Sequence, residues 1–357
     1  MKWDYKNLRV FMDVSTYCNA GCPQCHRTNP HGLEKADWLP LIQWSVEQFK
    51  TAFPVEELMN VETFKFCGTW GDPMMNKDIL KMFEYIAENS PRTSISVDTN
   101  GSIRNEDFWW NLGVIMKEKL RVCFDIDGID QKMHEKYRRF TNLNTILNNM
   151  NILSQTRAEV TSQTVLFKHN QDYKEQIIEL VKKNGSTSHS FVISDRFSKD
   201  NNKTVHTDKD GKEFVLERAD QNSLPKGIIS GTKKRSLSSE CIVCRWALPR
   251  NEIVINPDGQ VLPCCYHAHA DFKRKNSSKK DAESVERYMG PWFKEYMENS
   301  SEYNVFKKPL STIMNSNWFI KSLPQSVVSE NPISICEKNC SSKRNHIHQL
   351  REKHGTI

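Results

Sequence analysis

Three cysteines fall on one short stretch, Ser15–Arg27, as Cys18, Cys22 and Cys25 with the spacing C-x3-C-x2-C. Three thiolates so close can surround a single metal centre. They can equally hold three corners of a cubic iron–sulfur cluster, which ordinarily takes four cysteine ligands. Three ligands leave one iron open to a small molecule, the same open-position logic that separates catalytic from structural zinc sites. Two blander readings compete: half of a zinc site completed from elsewhere, and unconnected thiols.

The chain has eleven cysteines, an odd number. The N-terminus, MKWDYKNLR, lacks a signal-peptide apolar segment, and no stretch approaches the roughly 20 apolar residues a membrane helix needs. The expected location is therefore cytoplasmic, where clustered cysteines favour metal binding over disulfides. Cys67 and Cys123 lie in apolar strands and are read as small buried hydrophobes. The other six are Cys241, Cys244, Cys264, Cys265, Cys336 and Cys340. Around Pro257-Asp258-Gly259, apolar alternation at Ile253–Ile255 and Val261–Leu262 predicts a β-hairpin that draws Cys244 and Cys264 together. Cys336 and Cys340 bring the set to four thiols, with Cys241 and Cys265 in reserve. C-x2-C plus C-x3-C also suits a structural zinc site.

The elements that must position these residues alternate along the first two-thirds of the chain. Strands are expected over 8–14, 62–67, 93–98, 121–127, 160–168 and 189–194. Helices are expected near 38–52, 77–89, 105–119, 142–156 and 172–184, the second opened by Asn76 or Lys77 and the fourth capped by Asn142. Six strands alternating with helices imply a parallel α/β sheet, either open and doubly wound or a partial barrel. In such sheets ligands gather at the C-terminal strand ends, where the first cysteine loop sits. Residues 197–240 break the pattern and read as a linker or insertion with a hairpin near Asp210-Gly211. The expected units are thus 1–196, the linker 197–240, and a smaller cysteine-rich α+β unit over 241–357. Net charge is +6 with 38% hydrophobic and 26% charged residues. The surplus sits in Lys/Ser-rich runs that read as solvated loops, so neither nucleic acid nor a membrane is expected as a partner.

The C-x3-C-x2-C loop after the first strand resembles the signature of the radical S-adenosylmethionine (SAM) superfamily, although Gln24 stands where that family often has an aromatic residue. The resemblance implies a partial (β/α)6 TIM-like barrel and a [4Fe–4S] cluster on Cys18, Cys22 and Cys25. It also implies SAM bound at the open iron and cleaved reductively to a 5′-deoxyadenosyl radical. Phe66–Pro73 (FCGTWGDP) resembles the family's Gly-Gly-Glu-Pro motif, which puts Gly71 and Asp72 at the SAM amino group; the plain alternative is a Gly-Asp-Pro turn. Ser96–Ser102 (SVDTNGS) resembles the strand end that meets the SAM ribose, giving Asp98 and Asn100, against a simple Asn-Gly turn. Residues 123–139 resemble a Ser-x-Asp-Gly…His…Arg pattern in which Asp125 replaces the Ser and Asp127 and Gly128 match. Arg138 is the choice for the SAM carboxylate, with Arg139 in reserve, and His134 is read as structural.

Residues 244–340 resemble the SPASM/Twitch extension, which opens C-x(9–15)-G-x4-C; the stretch 310–323 resembles the helix before its last cysteines. There are too few cysteines for two clusters, so the resemblance implies one auxiliary iron–sulfur cluster on Cys244, Cys264, Cys336 and Cys340. It further implies an electron donor such as flavodoxin or ferredoxin. Hydrogen abstraction from a peptide or protein side chain is the first functional expectation. Only 17 residues precede Cys18, which counts against a fused leader-binding domain and so against the peptide reading. Dehydrogenation or epimerisation of a small sugar or nucleotide derivative is the second. A zinc-stabilised binding module without redox chemistry is the rival from another class.

Overall fold

The strands alternate in burial as a sheet packed on one face requires. The computed structural model describes residues 1–194, 196–198, 201–223, 242–329, 332–340 and 352–354. In its first part the elements run β1 (Leu8–Met12), α1 (Val46–Ala52), α2 (Val55–Leu58), β2 (Val61–Phe66), α3 (Ile79–Asn89), β3 (Ser94–Thr99), α4 (Glu106–Met116), β4 (Leu120–Asp125), α5 (Gln131–His134), α6 (Leu143–Ser154), β5 (Glu159–Leu166), α7 (Lys174–Lys183) and β6 (Ser188–Ile193). The six strands pair in sequence order, all parallel. This is the partial (β/α)6 TIM-like barrel.

One face of the sheet carries Val10, Met12, Phe64, Phe66, Ile95, Val97, Val122 and Phe124, which pack with Phe83 and Ile86 of α3, Leu112 of α4 and Met150 of α6 in a single apolar core. The other face, the barrel interior, is polar. Reading across the register, Phe11 opposes Lys65, Lys65 opposes Ser96, and Ser96 opposes Arg121. One layer further on, Asp98 opposes Cys123, and beyond it Asp125 opposes Gln163. A side-chain period of two makes this separation automatic once one face is apolar.

The later elements are β7 (Lys203–Thr207) and β8 (Glu213–Glu217), an antiparallel hairpin, then β9 (Glu252–Ile255), β10 (Val261–Leu262), α8 (Cys265–Asn276), α9 (Lys279–Met289), α10 (Pro291–Glu298), α11 (Leu310–Met314), α12 (Leu323–Ser326), α13 (Ser334–Cys340) and β11 (Glu352–His354). The main sheet continues into this part at both edges. β9 runs parallel to β1 with β10 antiparallel to it, and β11 pairs antiparallel with β6. The cysteine-rich segment thus shares its sheet with the barrel. Both expected hairpins are present, and Gly259 takes the left-handed turn (φ +82) that its hairpin needs.

Three helical stretches differ from expectation. The helix expected over 38–52 begins at Val46, because Ser45 and Gln48 form a reciprocal capping box. Residues 40–42 instead brace the cysteine loop: Ile42 N donates to Thr16 Oγ1 at 2.7 Å, and Thr16 Oγ1 donates to Pro40 O at 2.7 Å. Asn76 does not cap the next helix; its Nδ2 donates to the Val14 and Trp44 carbonyls at 2.8 and 2.9 Å. The stretch 310–323 breaks into α11 and a π-helical turn, Trp318–Ser322. Asn142 caps α6 as expected, accepting from Thr145 N.

Candidate metal centres

The first site is the loop that leaves β1. Asp13 anchors its base. The buried Asp13 carboxylate accepts from Thr69 N at 3.0 Å and Trp70 N at 3.4 Å, and burial pushes its pKa up to about 8. Cys18 and Cys25 are half-buried and Cys22 is buried. Ala20 N lies 3.4 Å from Cys18 Sγ, Asn100 Nδ2 lies 3.8 Å from the same sulfur, and Arg138 Nη1 lies 3.9 Å from Cys22 Sγ. Burial raises the Cys18 thiol above its ordinary range and pushes Cys22 up to about 12, with Arg27 and Arg138 the cations that oppose these rises. Thiols held this way would need a bound cation to become thiolates.

The loop after β2 docks against this one. A Cβ on Gly71 would lie 2.3 Å from Ser15 O and 2.6 Å from Thr16 C, so only glycine lets the two backbones meet. Asp72 N donates to Tyr17 O at 2.7 Å. The Asp72 side chain is turned inward. It accepts from Met74 N (2.9 Å), Thr99 Oγ1 (2.9 Å), Asn100 N (2.8 Å) and Asn100 Nδ2 (2.7 Å). These bonds offset the desolvation of a buried carboxylate and tie the end of β3 to the cysteine loop. Asn100 Nδ2 also reaches Asn19 Oδ1 at 2.9 Å. The structure therefore brings Gly71, Asp72 and Asn100 together beside Cys18. Asp98 sits apart on the polar barrel face, paired with Lys65 at 3.1 Å.

Arg138 is half-buried between two carboxylates: Nη1 lies 3.0 Å from Asp125 Oδ2 and Nε lies 2.6 Å from Asp127 Oδ2. Asp127 also accepts from Val165 N at 2.6 Å. Burial pushes Asp125 up to about 7 despite Arg138. His134 is a satisfied core histidine, its Nδ1 accepting from Asp127 N at 3.1 Å and its Nε2 3.0 Å from Thr141 Oγ1. Over the loop lies the β7–β8 hairpin, whose Leu216 packs with Cys22, Tyr137, Phe167 and Phe197. Gln24 Nε2 donates to Thr204 Oγ1 at 3.3 Å, and Arg139 stacks on Phe214 at 4.1 Å.

The second site gathers chain from three places. Cys244, Cys264, Cys336 and Cys340 line one small cavity with Ile242, Trp246, Leu323 and Ile335. Cys336 and Cys340 stand one helical turn apart on α13, which puts them on one face. Burial raises the Cys264 and Cys336 thiols and pushes Cys340 up to about 11, and the four also oppose one another's ionisation. Cys265 does not line this cavity, and burial with the nearby Glu252 carboxylate raises its thiol against the opposing Arg250. Cys241 lies outside the described residues. Among the described residues, no three Cys, His, Asp or Glu side chains converge tightly enough to hold a single metal ion.

The sequence over residues 244–341 matches the SPASM family, described as an iron–sulfur cluster-binding domain. No curated protein sequence matches the chain. The whole chain is similar in structure to SuiB of Streptococcus suis, with TM-score 0.56 and 11% identity over 94% of this chain and 72% of SuiB. It is also similar to anSMEcpe solved with bound AdoMet, with TM-score 0.51 and 13% identity over 90% of this chain and 84% of that one. The chain shares the fold of these two proteins, and its residues 244–341 match the SPASM domain. SuiB bound to precursor peptide SuiA is a further match, with TM-score 0.54 and 11% identity over 94% and 76% of the two chains.

Within the SPASM domain, α8 connects the two sites. It starts beside Cys264, and one turn later His269 packs on Trp70 (ring centroids 5.1 Å) and on His26 (5.7 Å), the residue after Cys25. The sequence reading missed this contact, and it missed Asp13, Asn19 and Thr99. Thr99 and Asn19 flank named residues and were within reach. Asp13 and His269 carry no local signal, because their partners come from distant segments. Among the described residues no helix is long and apolar enough to cross a membrane.

Proposed function

We propose that the chain is a radical SAM enzyme whose catalytic cluster sits on Cys18, Cys22 and Cys25 and whose auxiliary cluster sits on Cys244, Cys264, Cys336 and Cys340. One observation carries the reading: three thiols on a single loop, opening onto the polar barrel face at the C-terminal strand ends, with no fourth cysteine beside them among the described residues. Cys67 bonds to Thr69 instead, Sγ to Oγ1 at 3.2 Å, and Cys123 lies within β4. When bound, the cluster and SAM supply reductive cleavage and a 5′-deoxyadenosyl radical that abstracts hydrogen.

The chain's own residues bind, orient and shield. The backbone turn at Gly71 and Asp72 offers carbonyl acceptors to the SAM ammonium, since the Asp72 carboxylate is already filled by its four donors. Asn100 faces Cys18 and Asp98 faces the barrel interior, which suits the ribose hydroxyls. Arg138 keeps its Nη2 edge for the SAM carboxylate, while Asp125 and Asp127 hold the guanidinium in place. The β7–β8 hairpin and Phe167 exclude water above Cys22.

The substrate we propose is a peptide or protein side chain. SuiB has been solved with its precursor peptide, and anSMEcpe with AdoMet and the Cp18Cys peptide (TM-score 0.52, 12% identity). Anaerobic reconstitution tests the whole reading. It predicts roughly seven to eight irons with matching sulfide per chain, and 5′-deoxyadenosine from SAM under reduction. Deuterium transferred into 5′-deoxyadenosine from a labelled peptide pool supports the peptide substrate. Transfer only from labelled sugars or nucleotides contradicts it.

A further inference from the structure

The SPASM cavity contains a group that the four cysteines do not account for. His267 lies in the first turn of α8, three residues after Cys264, is 1% exposed and lines the same cavity as the four thiols. Its Nδ1 stands 3.1 Å from Cys264 Sγ. Its Nε2 has no hydrogen-bond partner among the described residues, and its ring packs on Phe293 with centroids 5.6 Å apart. A neutral imidazole carries one ring proton. Placed on Nε2, that proton would be a buried donor with no partner, at a cost of about 1–3 kcal/mol; an unfilled acceptor is easier to bury. The proton therefore sits on Nδ1 and points at the Cys264 sulfur. The backbone N–H of His267 is directed at the same sulfur.

We propose that His267 is a positioning residue of the auxiliary site, donating Nδ1–H to the Cys264 sulfur and setting the potential at which the cluster there accepts an electron. This rests on the reading that the four cysteines hold a cluster. Reduction adds negative charge that spreads onto the ligating sulfurs. A fixed N–H dipole stabilises the reduced form more than the oxidised form and raises the potential. Four thiols already fill the ligand set, so His267 acts through Cys264 and not as a ligand itself.

The test uses the full chain with Cys18, Cys22 and Cys25 all replaced by Ala, so that only the auxiliary cluster is seen. After anaerobic reconstitution, iron is counted and the cluster is titrated electrochemically by its EPR signal. His267→Phe should keep about four irons and shift the midpoint potential down. His267→Asn, which restores an N–H, should recover part of the shift. If His267→Phe fails to fold, His267→Leu provides the same comparison. A full iron count with an unmoved potential overturns the proposal. Loss of iron in both the Phe and Asn variants of a folded chain also overturns it, by making His267 a ligand. No iron–sulfur signal in the triple-Ala parent overturns the four-cysteine reading itself, which is a separate outcome.

Discussion

The two thiol sites differ in how much chain each recruits. Cys18, Cys22 and Cys25 come from one loop, and polar groups, Asn100 and Arg138, stand next to their sulfurs. Cys244, Cys264, Cys336 and Cys340 come from three separated segments and share their cavity with Trp246, Leu323 and Ile335. A site drawn from one loop can lose its occupant and leave the fold standing, and it can stay open on one side for a cosubstrate. A site drawn from three segments staples them together and has no side to spare. On the function proposed above, the first is arranged for chemistry and the second for cohesion and charge storage.

Removing single ligands should expose this difference most strongly. Cys18→Ala is expected to abolish 5′-deoxyadenosine formation and remove about four irons per chain, with the melting temperature nearly unchanged. Cys336→Ala should do the reverse in kind: the loop cluster and its iron stay, the auxiliary iron goes, and the melting temperature drops by several degrees as three segments lose their common anchor. Iron counts and calorimetry on the two variants check both. Equal thermal losses would erase the distinction.

A smaller effect should follow from the support beneath the first site. Thr99→Val removes a donor from the buried Asp72 carboxylate, and is expected to cost about 1–3 kcal/mol by denaturant unfolding while the auxiliary iron is unaffected. The smallest effect concerns pH. Burial raises Asp13 from 3.8 to about 8, so the folded chain keeps a proton that the unfolded chain releases. Its contribution is complete below about pH 4 and lost as pH rises toward 8. Asp13→Asn keeps the acceptor for Thr69 and Trp70, and should flatten the fall in melting temperature across that window.

Much of this was legible in the residues themselves. All six barrel strands, the two hairpins and the Asn142 cap follow from periodicity and turn chemistry, which are local. A hairpin and a helical turn account for Cys244 meeting Cys264 and Cys336 meeting Cys340, but that the two pairs share one cavity was implied only by the SPASM resemblance. The occupied states of Asp72 and Arg138 were not. Motif spacing shows that a carboxylate and a guanidinium are near the site, but Thr99, Asn100, Asp125 and Asp127 decide which of their edges remain. The β7–β8 hairpin read as part of a linker, since its cover over Cys22 depends on Leu216 meeting Tyr137 and Phe167 from other segments. The same holds for His267, whose meaning appears only with its ring set against Cys264.

The measurement that bears most directly on the central claim is EPR of the reduced chain with Cys244, Cys264, Cys336 and Cys340 replaced by Ala, recorded with and without SAM. An open iron on the Cys18, Cys22 and Cys25 loop predicts one cluster signal whose g-values and line shape change when SAM is added. A cluster signal identical in the two samples would contradict it, because a fully ligated cluster has no position for the cosubstrate to occupy.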